Sequence, residues 1–307
     1  MLLMLLKEGY RWNMLHKIKN MLCGIVWYYS KKNYFKDLTI ISDEELIKSI
    51  IVNKKSLCRF GDGEFRIMED IPSNFFQENS RDLGNKLKEV ITSDNKDIII
   101  GLPLPMKSLD NYNLKAKLFW MSHLYSNRKE WKKYLDINKI YGNASITRPY
   151  IDFVNKNKVG DKFADIKKIW DNKKICIIEG EYTKIGIGND LLNNAKEVKR
   201  IIAPAKNAYN CYDEIIKEAN KISKDTLILI ALGPTATILA YDLAKSGYQA
   251  VDIGHIDIEY EWYLSHAKKK TKVYGKAVNE VKKEQLLEEE YIDDDLYKNS
   301  IIKVIKE

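Results

Sequence analysis

Two carboxylates separated by one glycine, Asp62 and Glu64 in "RFGDGEF", are the side chains of this sequence best suited to chemistry. They follow a short apolar run, and alternate residues of an extended segment point the same way. On that geometry the two carboxylates share a face, and Gly63 leaves room for a ligand. Such oxygen ligands suit Mg²⁺ or Mn²⁺. The alternative is a capping turn in which Asp62 bonds backbone N–H groups and Glu64 pairs with Arg59 or Arg66.

A second polar group follows an apolar run in "DIGHIDIEYEW" and includes His255, Asp257 and Glu259. The carboxyl end of a buried strand is where parallel sheets bind their ligands. Asp257 or Glu259 can deprotonate an acceptor hydroxyl within hydrogen-bond reach, and His255 can contact a metal or a diphosphate. The alternation with isoleucines also fits an ordinary amphipathic strand, and a lone histidine is more often structural.

Three glycine-bearing turns are expected at strand ends, at Gly61, at Gly186 to Gly188 and at Gly233. A helix that begins there offers free backbone N–H groups and a positive dipole end to a phosphate oxygen. A single turn of this kind is often only a tight connection. Several of them in one parallel sheet favour a nucleotide ligand, although "GIGND" lacks the third glycine of the dinucleotide fingerprint.

The elements that carry these turns alternate between strand and helix. Ser42 and Glu45 form the pattern of a capping box at a helix start. Strands are predicted around Leu57 and in "DIIIGLPLP", "KKICIIEG", "VKRIIAPAK", "DTLILIALG" and the run to Ile253, with helices between them, including one after Gly188. This alternation predicts an α/β protein with a Rossmann-like, largely parallel sheet and helices on both faces.

The charge is unevenly distributed along the 307 residues, whose net charge is +8. Residues 1–35 supply about +5 of it, so the main body is nearly balanced and a nucleic-acid-binding stripe is not indicated. No window near the N-terminus reaches the ~18 apolar residues of a membrane span, and no cleavable signal is indicated. Residues 11–32 instead predict a basic amphipathic helix, which either lies on an anionic membrane surface or docks on protein.

Three segments follow from this reading. They are a basic N-terminal segment (1–36), a main domain (37–266) and a charged, partly helical extension (267–307). The extension is expected to be a solvated face by default, with a contact between copies through Ile301, Ile302 and Ile305 as the alternative. The cysteines are spaced too widely for a zinc ribbon or a disulfide framework, which favours reduced thiols in a cytoplasmic protein.

The order of "RFGDGEF", "TRPY", "GIGNDLL", "APAKNAY", "LGPTATILAYDLA" and "DIGHIDIEYEW" resembles the GT-D fold glycosyltransferases, a bacterial family, over roughly residues 40 to 265. The resemblance implies a divalent metal at Asp62 and Glu64, a UDP-sugar donor, typically UDP-glucose, and a glycan or glycoprotein acceptor. The donor-binding residues it implies are Arg59, Phe60, Gly61, Arg148, Lys184, Gly186, Gly188, Asn189, Asn207, Gly233, Pro234 and Thr235.

One position departs from that family. Lys184 stands where the family commonly has arginine, and a lysine cannot make the bidentate fork to a diphosphate. Arg59 and Arg148 remain as candidate forks.

The leading hypothesis is therefore a metal-dependent glycosyltransferase that uses a UDP-sugar and associates with the inner face of the membrane. A dinucleotide-dependent oxidoreductase on a similar sheet is the first alternative, and it requires a complete glycine fingerprint. A non-catalytic binding or scaffold protein is the second, and in that case the acidic and glycine turns are purely structural.

Overall fold

A parallel β-sheet forms the centre of the protein. The structure is a computed structural model that describes residues 15, 18–29, 34–72, 77–278 and 295–307. Within these ranges nine strands pair in the order β1-β4-β3-β2-β8-β7-β5-β6-β9, and every pairing is parallel. The strands are β1 (Thr39–Ile40), β2 (Ser56–Arg59), β3 (Ile98–Leu102), β4 (Ile140–Asn143), β5 (Lys174–Gly180), β6 (Glu197–Ala203), β7 (Leu227–Ala231), β8 (Ala250–Asp252) and β9 (Ile301–Val304).

Helices cover both faces of this sheet. They are α1 (residues 18–29), α2 (Asp43–Val52), α3 (Asp62–Met68), α4 (Arg81–Thr92), α5 (Leu114–Ser126), α6 (Arg128–Lys132), α7 (Val159–Lys167), α8 (Tyr212–Ala219), α9 (Pro234–Lys245), α10 (Ile256–Leu264) and α11 (Asp295–Ser300). Short 3₁₀ turns span Leu104–Met106, Ala144–Thr147 and Ala208–Cys211.

Two apolar layers hold the helices on the sheet. One layer packs α3, α4, α8 and α9 on one face, and the other packs α2, α7 and α10 on the opposite face. Neighbouring strand residues alternate between them, so Cys176 and Ile178 enter the first layer while Ile175 and Ile177 enter the second. Burial on both faces explains the continuous apolar runs in the sequence, and it confirms the predicted fold class.

The predicted capping box is confirmed at the start of α2. The Ser42 hydroxyl accepts a hydrogen bond from the Glu45 amide (3.2 Å), and the Glu45 carboxylate accepts one from the Ser42 amide (3.0 Å). Both bonds satisfy amide groups that a helix start leaves without a partner.

Three local expectations were wrong. Residues 62–64 are not extended, because they form the first turn of α3. Residues 256–261 are not a strand, because they lie in α10. No helix follows Gly188 either. Left-handed backbone at Tyr182, Lys184, Gly186 and Gly188 turns the chain repeatedly instead, since such angles cannot continue a right-handed helix.

The two ends of the chain depart from the simplest expectation for them. Residues 295–304 form α11 and then β9, which pairs with β6 as the ninth strand, and Ile305 is buried. The default expectation of a solvated extension is therefore wrong for residues 301–305, which join the sheet, while α11 has no buried residue and fits the expectation of a solvated helical segment. At the other end, α1 docks on α5, where Gly24 lies against the Met121 carbonyl. No described helix is both long and apolar enough to cross a membrane.

Candidate active site

A crevice is expected at the carboxyl edge of the sheet, between β2 and β8. The chain leaves β2 into α3, which packs on one face, and leaves β8 into α10, which packs on the other. Neighbouring strands whose following segments diverge in this way open a crevice that binds ligands in doubly wound folds. The two acidic motifs of the sequence, at Asp62 and at Asp257, begin the helices on its two sides.

Arg59, the last residue of β2, ties the strands together beneath this crevice. Its guanidinium donates to the Asp252 carboxylate (2.8 Å), the Asp252 carbonyl (3.0 Å), the Ala144 carbonyl (3.1 Å) and the Thr147 hydroxyl (2.8 Å). A Cβ at Gly254 would lie 1.8 Å from an Arg59 nitrogen, so this close packing requires glycine. Arg59 therefore joins β2 and β8 to the turn after β4.

The first turn of α3, which contains Asp62 and Glu64, follows β2 at the carboxyl edge of the sheet. Phe60 is buried and its amide bonds the Gly101 carbonyl (2.9 Å), which fixes the turn on the sheet. The Glu64 carboxylate accepts a hydrogen bond from the Gly61 amide (2.7 Å), and burial raises the pKa of Glu64 to about 7. The Asp62 carboxylate accepts no hydrogen bond from the described part of the chain.

This helical turn changes the geometry expected for a metal site. Residues two apart on a helix point about 200° away from each other, so Asp62 and Glu64 do not share a face. Within the described ranges, no group of three or more histidine, cysteine or acidic side chains can hold a metal ion. The unbonded Asp62 carboxylate still suits a cation that takes one or two carboxylates and completes its shell with phosphate oxygens and water.

A second turn lies beside the first, after β7. Gly233 has a φ of +54°, which glycine adopts without strain, and Pro234 opens the twelve-residue helix α9. Thr235 is fully buried, and its hydroxyl donates to the Gln77 side chain (3.3 Å). Asn207 lies next to the same segment, because its side chain accepts a hydrogen bond from the Glu78 amide (2.9 Å). Residues 77–78 thus connect the turns after β6 and β7.

The loop that contains Gly186, Gly188 and Asn189 is held by Asp257. One Asp257 oxygen accepts from the Gly186 amide (2.8 Å) and from the Asn189 side chain (2.9 Å). The other accepts from Lys276 (2.7 Å), whose ammonium is buried and also contacts Glu261 (2.8 Å). Asp257 is therefore a buried carboxylate with three donors.

Lys184 lies in the same loop, just after the end of β5. Glu179 on β5 accepts from the Ile185 amide (2.8 Å) and pairs with Arg200 of β6, and Arg200 donates to the Ile185 carbonyl (2.8 Å). Partial burial lowers the pKa of the Lys184 ammonium. Buried charges therefore fix this loop at two places. Glu179 and Arg200 hold Ile185, and Asp257 holds Gly186 and Asn189.

Glu259 on α10 holds the turn that contains Arg148. One of its oxygens accepts from the amides of Tyr150 (2.9 Å) and Ile151 (3.0 Å), and the other has no hydrogen-bond partner in the described chain. Burial raises the pKa of Glu259 to about 7, against the opposing effect of the Arg148 charge. His255 is the residue that precedes α10.

The structure thus places the residues predicted from the sequence after the carboxyl ends of six strands, β2 and β4 to β8. It also gives structural roles to Asp252 and Glu261, to which the sequence reasoning assigned none, and to Gln77, Arg200 and Lys276, which it did not select. Asp252 closes a predicted strand, so its position was a usable signal. Lys276 stands in a lysine-rich stretch where no local pattern distinguishes a buried lysine from solvated ones.

Comparison with known families gives a match to the glycosyltransferase GT-D fold over residues 57–281. Among curated proteins, the chain is 36% identical over 272 residues to the probable glycosyl transferase Gly of Streptococcus gordonii, covering 87% of this chain and 39% of that protein. It is 35% identical over 262 residues to the glycosyltransferase GlyD of Streptococcus pneumoniae, covering 84% of this chain and 31% of that one. The chain therefore spans less than half the length of these relatives.

Solved structures give the same assignment of fold. One is described as the highly conserved domain of unknown function 1792 with a distinct glycosyltransferase fold. It has a TM-score of 0.85 and 34% identity, with 91% of this chain and 99% of that chain covered. Another is described as a new glycosyltransferase of this domain type from Streptococcus sanguinis. It has a TM-score of 0.81 and 33% identity, with 88% and 100% of the two chains covered.

Proposed function

The chain belongs to the GT-D fold family of glycosyltransferases, and from that premise we propose that it transfers a sugar, glucose, from a UDP-sugar to a glycan or glycoprotein acceptor with the help of Mn²⁺ or Mg²⁺. One observation carries the metal assignment. In a protein whose other crevice carboxylates are bonded to backbone or side-chain donors, Asp62 keeps its oxygens unbonded by the described residues. A carboxylate left open at a ligand-binding crevice is suited to a cation.

The leaving group determines what the site must supply. Breaking the bond between the sugar and the diphosphate leaves negative charge on the nucleotide, and a bound cation would neutralise part of it. In this proposal Asp62 is the protein ligand of that cation, and Glu64, which points away from Asp62, fixes the turn by accepting the Gly61 amide hydrogen bond. The positive end of α9, after Gly233, faces the same edge of the sheet and stabilises further diphosphate charge.

The three predicted catalytic side chains take different parts in this proposal. Asp257 and Glu259 are buried and act as positioning residues, because each holds a loop that carries predicted donor-binding residues. Asp257 orders Gly186 and Asn189, while Glu259 orders the turn of Arg148. His255 stays a candidate for diphosphate contact at the start of α10.

The alternatives considered from the sequence gain no support from the geometry. The fingerprint of a dinucleotide-dependent oxidoreductase places its glycine loop at a helix start, and the loop of Gly186 to Gly188 begins no helix in the structure. A scaffold protein needs no unbonded carboxylate at the carboxyl edge of its sheet.

The test is release of nucleoside diphosphate from a panel of nucleotide sugars by the purified chain, with Mn²⁺ and with EDTA. We expect Mn²⁺-dependent release from one UDP-sugar and much slower release from the others. Release that EDTA leaves unchanged would contradict the metal assignment. Absence of both binding and release for every donor would favour the scaffold alternative.

A matched pair of variants distinguishes the loss of the proposed metal ligand from the general effect of removing an acid at a helix start. Asp62→Asn removes the proposed ligand from the first turn of α3. Asp161→Asn removes an exposed acid from the first turn of α7, where it has the same favourable interaction with a helix dipole. We expect only the first to lower the release rate. Equal rates for both variants would contradict the assigned role of Asp62.

A further inference from the structure

Helix α1 has two separate apolar faces. Its inner face is buried against α5 and its surroundings: Gly24 would clash with the Met121 carbonyl if it carried a Cβ, and Trp27 is 8% exposed. The Tyr28 hydroxyl donates to Asp110 (3.2 Å), which ties the same face to the loop before α5. Docking on the domain is therefore confirmed, and it uses only part of the apolar surface.

The outer face carries an unburied stripe of large apolar side chains. It consists of Leu15, Ile18, Leu22, Val26 and Tyr29, which are between 38% and 71% exposed. Their spacing of three and four residues places them in one row along the helix. Isolated exposed apolar residues are ordinary, but a continuous row of five marks a surface that binds something.

The surroundings of this stripe are basic. Lys19 is exposed on α1 itself. At the other end of the helix, the Tyr34 ring lies 6.1 Å from the Trp27 ring in a tilted arrangement, and the cations of Arg128 and Lys132 lie over it. The supporting helices α5 and α6 contain Lys115, Lys117, Arg128, Lys129 and Lys132 against the single acid Glu130, and Lys133 follows α6.

We propose that this stripe inserts into the interfacial region of an anionic lipid bilayer, with the basic residues around it facing the headgroups. An amphipathic helix with apolar residues on one side and lysines beside them binds such surfaces without crossing them. A second copy of the chain is the less favourable occupant, because pairing two such faces brings like charges together.

The inner face gives this contact a fixed orientation. Gly24 allows backbone contact between α1 and α5, and α5 continues into α6, whose Trp131 stacks on Phe65 of α3 at 4.6 Å. The helix that carries Asp62 therefore rests on the same layer as the membrane-facing helix. On a bilayer the crevice would have one orientation relative to the lipid plane.

The experiment is flotation of the full-length chain with vesicles of phosphatidylcholine alone and of phosphatidylcholine with phosphatidylglycerol at three to one. We expect binding to the anionic vesicles at least tenfold tighter than to the neutral ones, and weaker binding as salt is raised. The double variant Leu22→Glu/Val26→Glu should lose at least tenfold in binding to anionic vesicles. Both residues are exposed, so the fold should be retained.

The matched control is Val52→Glu/Ile137→Glu, which makes the same change at two exposed apolar positions outside the stripe. It should bind anionic vesicles like the parent chain. Three outcomes would overturn the proposal. These are no binding of the parent chain to anionic vesicles, equal loss in both double variants, and a dimer in solution that only the stripe variant dissociates. The last outcome would assign the stripe to a contact between copies.

Discussion

Asp62 and Asp257 lie in the first turns of helices on opposite faces of the sheet, and they differ in how many hydrogen bonds their carboxylates accept. Asp257 is buried and accepts hydrogen bonds from Gly186, Asn189 and Lys276. Asp62 accepts none from the described residues. A buried carboxylate is stable only when donors surround it, whereas a carboxylate at an open edge stays solvated until a ligand arrives. The number of donors, rather than the residue type, separates the structural from the ligand-binding acid.

The largest loss of stability is expected when Lys276, a donor to the buried Asp257, is replaced. Lys276→Met leaves Asp257 buried without its counter-charge, which typically costs about 3–5 kcal/mol of the free energy of unfolding. Urea denaturation would measure the loss. The double variant Lys276→Met/Asp257→Asn should recover part of it, because no uncompensated charge remains. Similar stability of Lys276→Met and the parent chain would contradict the contrast drawn between Asp257 and Asp62.

A second effect concerns the dependence of stability on pH. The pKa of Glu259 is about 7 in the folded chain and near 4.5 when unfolded, so the folded state binds the proton more tightly. The stability that protonated Glu259 contributes is fully present below pH 4.5 and is lost as the pH rises to about 7. The loss is about 3 kcal/mol of the free energy of unfolding, at 1.36 kcal/mol per pH unit. Glu259→Gln should flatten this fall while keeping an acceptor for Tyr150 and Ile151. Denaturation at pH 5 and pH 8 would test it.

Asp62, the proposed metal ligand, should behave differently from Asp257 and Glu259. Asp62→Asn is expected to lower kcat/KM about a hundredfold, which corresponds to about 2.7 kcal/mol in the transition state. Its free energy of unfolding should fall by no more than about 1 kcal/mol, because the carboxylate loses only its interaction with the dipole of α3. A large loss of stability would place Asp62 with the structural acids.

The smallest loss of stability, expected for Asp190→Asn, tests how much burial contributes to the strength of such a pair. Asp190 pairs with Lys167 (2.8 Å) and accepts from the Tyr260 hydroxyl (2.7 Å), but half of its side chain is exposed. Water screens such a pair, so Asp190→Asn should cost about 0.5 kcal/mol. A thermal shift assay beside Lys276→Met would compare the two. A loss as large as that of Lys276→Met would show that donor number outweighs burial.

Local sequence patterns predicted the sheet and its helices well. The strand around Leu57 and "KKICIIEG" are apolar on both faces, and the Ser42 capping box marks a helix start, so these elements are specified by nearby residues. The first turn of α3 was misjudged because acidic residues separated by one position fit both a strand and a helix N-terminus. The capping bond from Gly61 to Glu64 decides for the helix.

The donor networks were beyond the reach of local patterns. Asp257 and Lys276 lie nineteen residues apart in sequence, and their pairing depends on a turn after α10. A helix was expected after Gly188, yet the loop after β5 takes its shape from contacts of Glu179, Arg200 and Asp257. The positions at the sheet edge could be predicted, but which acids the protein itself satisfies could not.

The pairing of β9 with β6 has a consequence for synthesis of the chain. Arg200 of β6 donates to Ser300, the residue before β9, at 3.0 Å, and the two are 100 residues apart. At a translation rate of about 5–20 residues per second, roughly 5–20 s pass between the emergence of the two segments. Through that interval the outer edge of β6 presents unpaired amide and carbonyl groups, which can template wrong strand pairing. A nascent chain is therefore exposed to wrong pairing at this edge until β9 arrives.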